Sequence, residues 1–435
     1  MLIQLTISNF KSIRDEQVID FYAPLERDEF PENTVVFDNS GLRVLRSIGL
    51  YGANAAGKST VFDALYAIMD IITWHNCQPD GDIPFHNPYR LSSETRKKPT
   101  TLALEFALPV EGMAPYRRFL YSVSYDSVSI TGEKLSAFDD NGKEVLLYSR
   151  KKNDTAQTVK FGRSLVGGRK RIPFFANQAY LAAAWKSPDS PKMLRTIASY
   201  LCGGIDLPSV RKYGEIKQDV IATAVLPYAD VGISKVIAKK KPLDPERIAS
   251  MQKYLSSEEF ETALSAMKDS SSTVYAFEHK GGKNESGIIN LSEESEGTQR
   301  FFAFLPKLLN VLDKGLTMLN DEIDTHMHPY LVELIIRMFN DPEINTNNAQ
   351  LLFSTHNMGL LSERFMRKDQ IWFAEKHAGA SEFFSLQDFD DKKVTPTSPF
   401  VQWYMEGRFG GVPNLDYQGF VQALKALQRK ENKDA

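Results

Sequence analysis

Gly52-Ala53-Asn54-Ala55-Ala56-Gly57-Lys58-Ser59 fits the spacing G-x-x-x-x-G-K-[ST] and decides how the rest of the chain is read. An apolar run, Ser47 to Tyr51, leads into it. Val61, Phe62, Leu65, Ile68, Met69 and Ile72 follow at helical spacing from Lys58 onward. Strand, glycine turn and amphipathic helix are the setting in which such a loop holds phosphate. Gly52 and Gly57 allow the tight turn that points consecutive N–H groups at phosphate oxygens. The positive end of the following helix adds to the cradle. Lys58 is a mobile point charge for the β- and γ-phosphates, and Ser59 is a ligand for Mg²⁺. The candidate nucleotide contacts are Gly52, Asn54, Ala55, Ala56, Gly57, Lys58, Ser59 and Thr60. A chance Gly/Ala turn is the competing reading, and the flanking strand and helix argue against it.

A second stretch supplies the acids. Leu316-Thr317-Met318-Leu319-Asn320 reads as an apolar strand ending in Asp321 and Glu322. A carboxylate at such a place orients the Mg²⁺ shell, and a second can take a proton from attacking water. Asp321 is therefore assigned to the metal and Glu322 to general base, on a strand expected to lie beside the P-loop strand. His326 and His328 follow, but H-x-H in a loop lacks the i, i+4 spacing of a zinc site on a helix.

Working outward, Leu2, Ile3, Leu5 and Ile7 suggest a first strand. Residues 100–162 alternate apolar and polar, with Asn141-Gly142 as a hairpin signal, and predict an antiparallel sheet. From Phe175 to Asp269 the pattern turns helical, with Asp244-Pro245 opening one helix. After residue 290 strands alternate with helices: a helix from Gly297 to Asp313 with Phe301, Phe302, Leu305, Leu308, Leu309 and Leu312 inward, one opening at Pro329, and strands at Leu351–Ser354 and Ile371–Phe373. That alternation implies a largely parallel sheet flanked by helices. The fold class is α/β, divided as 1–165, 166–290 (mainly helical), 291–398 and 399–435.

The 435 residues carry 52 basic and 55 acidic side chains, a net charge of −3, so this is no polycation built to coat nucleic acid. Two cysteines, Cys77 and Cys202, make no disulfide framework and fit a reducing cytosol. Met1 to Phe10 lacks the charged and apolar regions of a signal peptide, and no apolar run approaches the ~20 residues that span a bilayer. A cytoplasmic protein without membrane association is expected.

Three further segments carry a resemblance. Leu291-Ser292-Glu293-Glu294-Ser295-Glu296-Gly297 resembles the ABC signature Leu-Ser-Gly-Gly-Gln, with Ser295 and Gly297 matching best and Glu296 replacing a glycine. Ile323 to Pro329, with Asp324, resembles the D-loop. Ser354-Thr355-His356-Asn357 resembles the switch-histidine segment. The order of these motifs is similar to RecF and SMC heads. It is closer to bacterial ATPases of the abortive-infection, RloA and OLD-like type, and the likeness extends to the ATPase subunit of PARIS-type phage defence. Ile7 to Ser12 resembles the first strand of that group, which adds Lys11 and Ser12 to the nucleotide contacts. Tyr404 to Pro413 resembles its C-terminal motif. The expected Q-loop glutamine is not evident, and Gln178 is the candidate for it.

The resemblance implies an ABC-type P-loop head: a mixed or antiparallel β lobe plus a parallel sheet, carrying a helical insertion. It implies ATP and Mg²⁺ as cofactors, with His356 catalytic at the γ-phosphate. It implies head-to-head dimers in which Ser295 and Gly297 meet the other subunit's ATP, where a plain helix cap is the competing reading for Ser295. It also implies a defence role acting through a separate effector, with a TOPRIM-type nuclease as candidate, because no such module follows residue 400. The alternative is a RecF-like DNA repair or maintenance ATPase. Arg150-Lys151-Lys152, Gly167 to Arg171 and Lys239-Lys240-Lys241 keep nucleic acid open as a partner, although such runs more often lie in solvated loops. The insertion, about 240 residues between Gly57 and Gly297, lacks the sustained heptads of a long coiled coil. A non-hydrolysing ATP-bound scaffold is the third reading, and Glu322 argues against it.

Overall fold

The computed structural model describes residues 1–25, 29–36, 41–74, 78–79, 81–109, 116–139, 141–206, 224–229, 232–240, 273–282, 285–390, 393–395, 397–412 and 416–434. The chain divides into two units. One comprises Met1–Pro208, Gly315–Ile323 and Ile336–Ala435, the other Ser209–Lys314 and Asp324–Ile335.

The first unit opens with β1 (Leu2–Ser8), β2 (Gln17–Asp20), β3 (Tyr22–Ala23), β4 (Thr34–Val36), β5 (Arg43–Leu45), β6 (Ser47–Gly52) and helix α1 (Lys58–Thr73). Next come β7 (Thr100–Leu108), β8 (Arg117–Tyr125), β9 (Ile130–Phe138), β10 (Glu144–Lys151) and β11 (Lys160–Phe161). Helices α2 (Tyr180–Lys186) and α3 (Lys192–Gly203) and strand β12 (Ile205–Asp206) follow. The second unit holds β13 (Ile233–Lys240), β14 (Thr273–Lys280), β15 (Ser286–Asn290) and α4 (Glu296–Lys314). Next in the chain come β16 (Thr317–Asn320) of the first unit and α5 (Pro329–Asn340), whose residues up to Ile335 belong to the second unit, then β17 (Gln350–Ser354), β18 (Ile371–His377), β19 (Ala380–Ser385), α6 (Phe400–Met405) and α7 (Tyr417–Asp434) of the first.

The expected antiparallel sheet forms in the order β11-β10-β9-β8-β7-β1-β2. Its alternation is visible in β8, where Phe119, Tyr121, Val123 and Tyr125 are buried. Phe119 sits opposite Phe106 of β7 and their rings stack at 5.8 Å, and Tyr200 of α3 also stacks on Phe106 at 5.7 Å. Such pairs add about 0.5–1.5 kcal/mol each beyond burial. The hairpin at Asn141-Gly142 joins β9 to β10, with Gly142 at φ 74°.

The second sheet runs β12-β16-β17-β6-β18-β19, parallel throughout except for β19. Its central strands are apolar on both faces, as a sheet covered on both sides requires. This corrects one expectation. The carboxylate strand β16 does not neighbour the P-loop strand β6, because β17 pairs with both and lies between them. The chain leaves β16, crosses by α5 and returns as β17 in the next position inward, so the connection itself fills the gap.

The second unit brings another correction. The stretch expected to be helical from Phe175 to Asp269 contains, besides α2 and α3, the strand β13, which forms the three-stranded sheet β13-β14-β15. A register shift between Ile233 and Lys235 puts Ile233 and Val236, three residues apart, both inside. That irregularity hides the two-residue period. The helix expected at Asp244-Pro245 lies outside the described residues, as do Cys77, Lys241 and Pro413. In α4, Phe301, Phe302, Leu305, Leu308 and Leu312 are buried, and Val311 takes the inward place expected for Leu309. Phe302 meets Tyr275 and Phe277 of β14 at 4.8 and 5.1 Å. No described helix is long and apolar enough to cross a membrane.

Candidate functional site

The phosphate loop hangs between β6 and α1. Gly52 has φ 146° and Gly57 φ 112°, while Ala55 is left-handed at 60°. A Cβ on Gly52 would run into the carbonyl oxygen of Ala374 on β18, and one on Gly57 into the hydroxyl of Ser381. Both glycines are thus required by close approach as well as by torsion. No side chain caps the N-terminus of α1, and the Thr60 N–H turns back to the Gly57 carbonyl at 2.9 Å; an uncapped helix start of this kind is suited to an anion. Ser59 is exposed there, Thr60 is buried and Asn54 is exposed. Lys58 lies back along the loop, its Nζ donating to the carbonyls of Gly52 at 2.8 Å and Ala53 at 3.0 Å.

The segment after β1 grips the same helix. The hydroxyls of Ser12 and Thr60 share a hydrogen bond of 2.9 Å, and the Lys11 ammonium pairs with Asp63 at 2.6 Å. Lys11 and Ser12 also line a cleft of about 420 Å³ with Asn87, Tyr89, Arg90, Leu91 and Lys376. Lys376 was not singled out by sequence, yet its Nζ donates to the Ala55 carbonyl at 3.3 Å.

The acids sit at the same edge of the sheet. Strands β16, β17 and β6 are parallel, with Asn320 opposite Phe353 and Phe353 opposite Gly49. Their carboxyl ends therefore point one way, and the residues after Gly52 and after Asn320 emerge on that side. Ser354 binds the acidic pair together: its hydroxyl donates to Asp321 Oδ1 at 2.5 Å and accepts the Glu322 N–H at 2.8 Å. Glu322 is left-handed at φ 55°, an uncommon conformation for a side-chain-bearing residue. His356 is exposed just beyond β17, and the Thr355 N–H donates to the Leu50 carbonyl of the P-loop strand at 3.1 Å. Asp321 and Ser59, one exposed carboxylate and one exposed hydroxyl, are the hard oxygen donors that suit Mg²⁺. Ser354 escaped the sequence reading as a site residue, though it lies two positions before His356.

The remaining candidates belong to the second unit, described by itself. Ser295 caps α4: its hydroxyl accepts the Thr298 N–H at 3.2 Å and shares a 2.8 Å bond with the Thr298 hydroxyl. Gly297 packs so tightly that a Cβ would come 2.8 Å from the His326 carbonyl oxygen. Arg300 donates to the Thr325 carbonyl at 3.1 Å, and His326 Nδ1 meets Glu296 at 3.1 Å. The D-loop-like segment and the signature-like turn are thereby joined. Asp324 Oδ1 is buried without a hydrogen-bond partner. His328 accepts the Tyr330 N–H at 3.3 Å through Nδ1.

Two basic clusters are partly engaged within the fold. Arg150 is buried against Phe174 and Glu133, and Lys152 pairs with Asp126 at 2.8 Å. Arg171 donates to Gln157 at 2.5 Å. Gln178 lies in the turn before α2, where its Oε1 accepts the Phe175 N–H at 3.4 Å.

A protein-family model described as "AAA domain, putative AbiEii toxin, Type IV TA system" matches residues 47–362, from the first residue of β6 to just past the His356 segment. Among solved structures, an SMC head bound to the C-winged helix domain of ScpA is similar at 12% identity and a TM-score of 0.39, over 88% of this chain and 97% of that one. An SMC head domain from Thermotoga maritima is similar at 13% identity and a TM-score of 0.34, over 88% and 98%. No curated protein sequence matches.

Proposed function

The chain belongs to the AAA-domain family whose model it matches, and from that premise we propose that it is an ATP-hydrolysing, ABC-type switch in anti-phage or abortive-infection defence. The loop Gly52–Ser59, with Thr60, holds the triphosphate. Lys58 neutralises its charge, and Lys11 and Ser12 flank it, with base and ribose in the adjoining cleft. Ser59 and Asp321 hold Mg²⁺, which when bound neutralises charge on the phosphate oxygens. Glu322 takes the proton of the attacking water, and His356 hydrogen-bonds at the γ-phosphate.

The observation that carries this reading is the shared edge. Asp321 and Glu322, tied by Ser354, emerge from the parallel sheet on the same side as the loop after Gly52. Two subunits would close head to head, with Ser295, Gly297 and Asp324 of each facing the other's nucleotide. Closure then follows the γ-phosphate, because ATP makes contacts that ADP lacks. A separate effector reads that closure. A RecF-like maintenance role is the other reading. The internal pairing of Arg150 and Lys152 takes up two of the three cations in that cluster, which weakens its support for that role.

Co-expression with the products of neighbouring genes tests the defence role. A stable complex that protects cells from phage, and loses protection on Lys58→Ala, is the expected result. Protection unaffected by Lys58→Ala, or absent with every neighbour, would refute the switch. ATP affinity is read in parallel, and Lys58→Ala is expected to weaken it at least tenfold, the loss of one charge-assisted phosphate contact.

A further inference from the structure

The segment Phe400–Val412 lies far from the loop in sequence but folds onto it. Helix α6 ends in a Schellman turn: the Gly407 N–H donates to the Tyr404 carbonyl at 2.8 Å and the Arg408 N–H to the Trp403 carbonyl at 3.0 Å, with Gly407 at φ 74°. The turn sends Phe409 back onto β18. There Phe373 is stacked by Tyr404 at 5.3 Å and by Phe409 at 5.6 Å. Gly410 and Gly411 then follow at φ 71° and 68°, two left-handed residues in succession. A Cβ on Gly410 would come 2.7 Å from the Glu375 carboxylate.

The outcome is one buried carbonyl with both lone pairs used. The Gly411 oxygen accepts the Tyr404 hydroxyl at 2.8 Å and the Ala53 N–H at 2.9 Å. Ala53 is the first residue after β6 and the second of the phosphate loop. Ala374 of β18 pairs with Gly52 immediately before it. The carbonyl thus meets the backbone where the loop departs from the sheet. Burial pushes the Tyr404 phenol up to about 12, so it remains a donor across the ordinary pH range.

We propose that Gly411 is a positioning residue for the phosphate loop, its carbonyl held by Tyr404 and setting where the loop begins through Ala53. This deepens the ATP reading above and rests on it. A loop whose entry is fixed presents its amides already arranged for phosphate, and one whose entry is free loses affinity to the cost of ordering it. Glu322 leaves the sheet from β16, so the proton-transfer machinery does not depend on this tether.

Steady-state ATP hydrolysis, equilibrium ATP binding and thermal unfolding on the full chain test the assignment with three variants. Tyr404→Phe removes only the hydroxyl and keeps the ring on Phe373. It is expected to raise KM and Kd for ATP about three- to tenfold, the worth of one hydrogen bond, with kcat within about twofold. Gly411→Ala strains the left-handed residue and is expected to raise both constants at least as much. Phe389→Leu alters the same aromatic cluster, through Phe384 and Phe409, without touching Gly411. It is expected to lower Tm while leaving KM unchanged. Unchanged KM and Kd in Tyr404→Phe and Gly411→Ala, with Tm lowered as in Phe389→Leu, would reduce the segment to packing and overturn the assignment. A wild-type chain that binds no ATP is a distinct result, which would remove the ATP reading and this assignment together.

Discussion

Ser354 donates to the carboxylate of Asp321 at 2.5 Å across adjacent parallel strands. The same hydroxyl accepts the N–H of Glu322, so one short side chain fixes both Asp321, the acid proposed for the metal, and the left-handed residue that follows it. An uncommon backbone conformation of this kind persists where its surroundings over-determine it.

Ser354→Ala follows directly. It removes a hydrogen bond to a charged group and leaves the Glu322 N–H without its acceptor. Such bonds are worth about 1.5–3 kcal/mol, so kcat is expected to fall tenfold or more, with a higher Mg²⁺ requirement. Phosphate release across a Mg²⁺ titration measures both. A variant with wild-type kcat and Mg²⁺ dependence would show that the hydroxyl does not organise the acids.

Asp20 on β2 gives a pH dependence. Burial, reinforced by Asp388, Asp369 and Glu105, pushes its carboxyl up to about 6 from 3.8. The folded chain therefore holds the proton more tightly than the unfolded one. Its contribution is fully present below pH 3.8 and is lost as pH rises through about 6. Asp20→Asn should consequently gain stability over wild type as pH rises from 4 to 7, by up to about 3 kcal/mol. Urea unfolding of both proteins at the two pH values gives the difference, and a constant offset would contradict the sign.

Glu133 on β9 is the hub of a buried polar cluster. It accepts from the Tyr148 hydroxyl at 2.7 Å, the Tyr121 hydroxyl at 3.2 Å and the N–H groups of Tyr180 and Leu181 at 2.6 and 3.0 Å. Arg150 faces it at 3.9 Å, with both side chains buried. Glu133→Ala removes the counter-charge of that guanidinium, which keeps the Gln178 and Ala176 carbonyls at 2.6 and 3.2 Å, and takes the acceptor from two buried tyrosine hydroxyls and two N–H groups; it is expected to cost about 3–5 kcal/mol, read as a lower urea midpoint. A loss below about 1 kcal/mol would mean that the cluster carries little of the β lobe's stability.

The parts of the fold legible in the sequence were those written locally. The run from Ser47 through Ile72 contains its own strand, turn and helix, and the alternation in β8 is unbroken, so both read directly. The acids after Asn320 were legible because an apolar strand ends on them. Strand order was not, since nothing in residues 316–322 tells that β17 will slide between β16 and β6. Nor was β13, whose register shift removes the period that marks a strand. Lys376 beside Ala55, and Gly411 beside Ala53, depend on segments brought together only by the completed sheet. Gly410-Gly411 could have flagged a left-handed turn, but not its partner.

The most direct test of the central claim is phosphate release by Glu322→Gln at saturating ATP and Mg²⁺, with ATP affinity measured on the same protein. The amide keeps the shape of the side chain and cannot take a proton from water. ATP affinity within about twofold of wild type together with turnover reduced at least a hundredfold is the predicted result, within the range ascribed to general bases. Turnover equal to wild type would contradict the account.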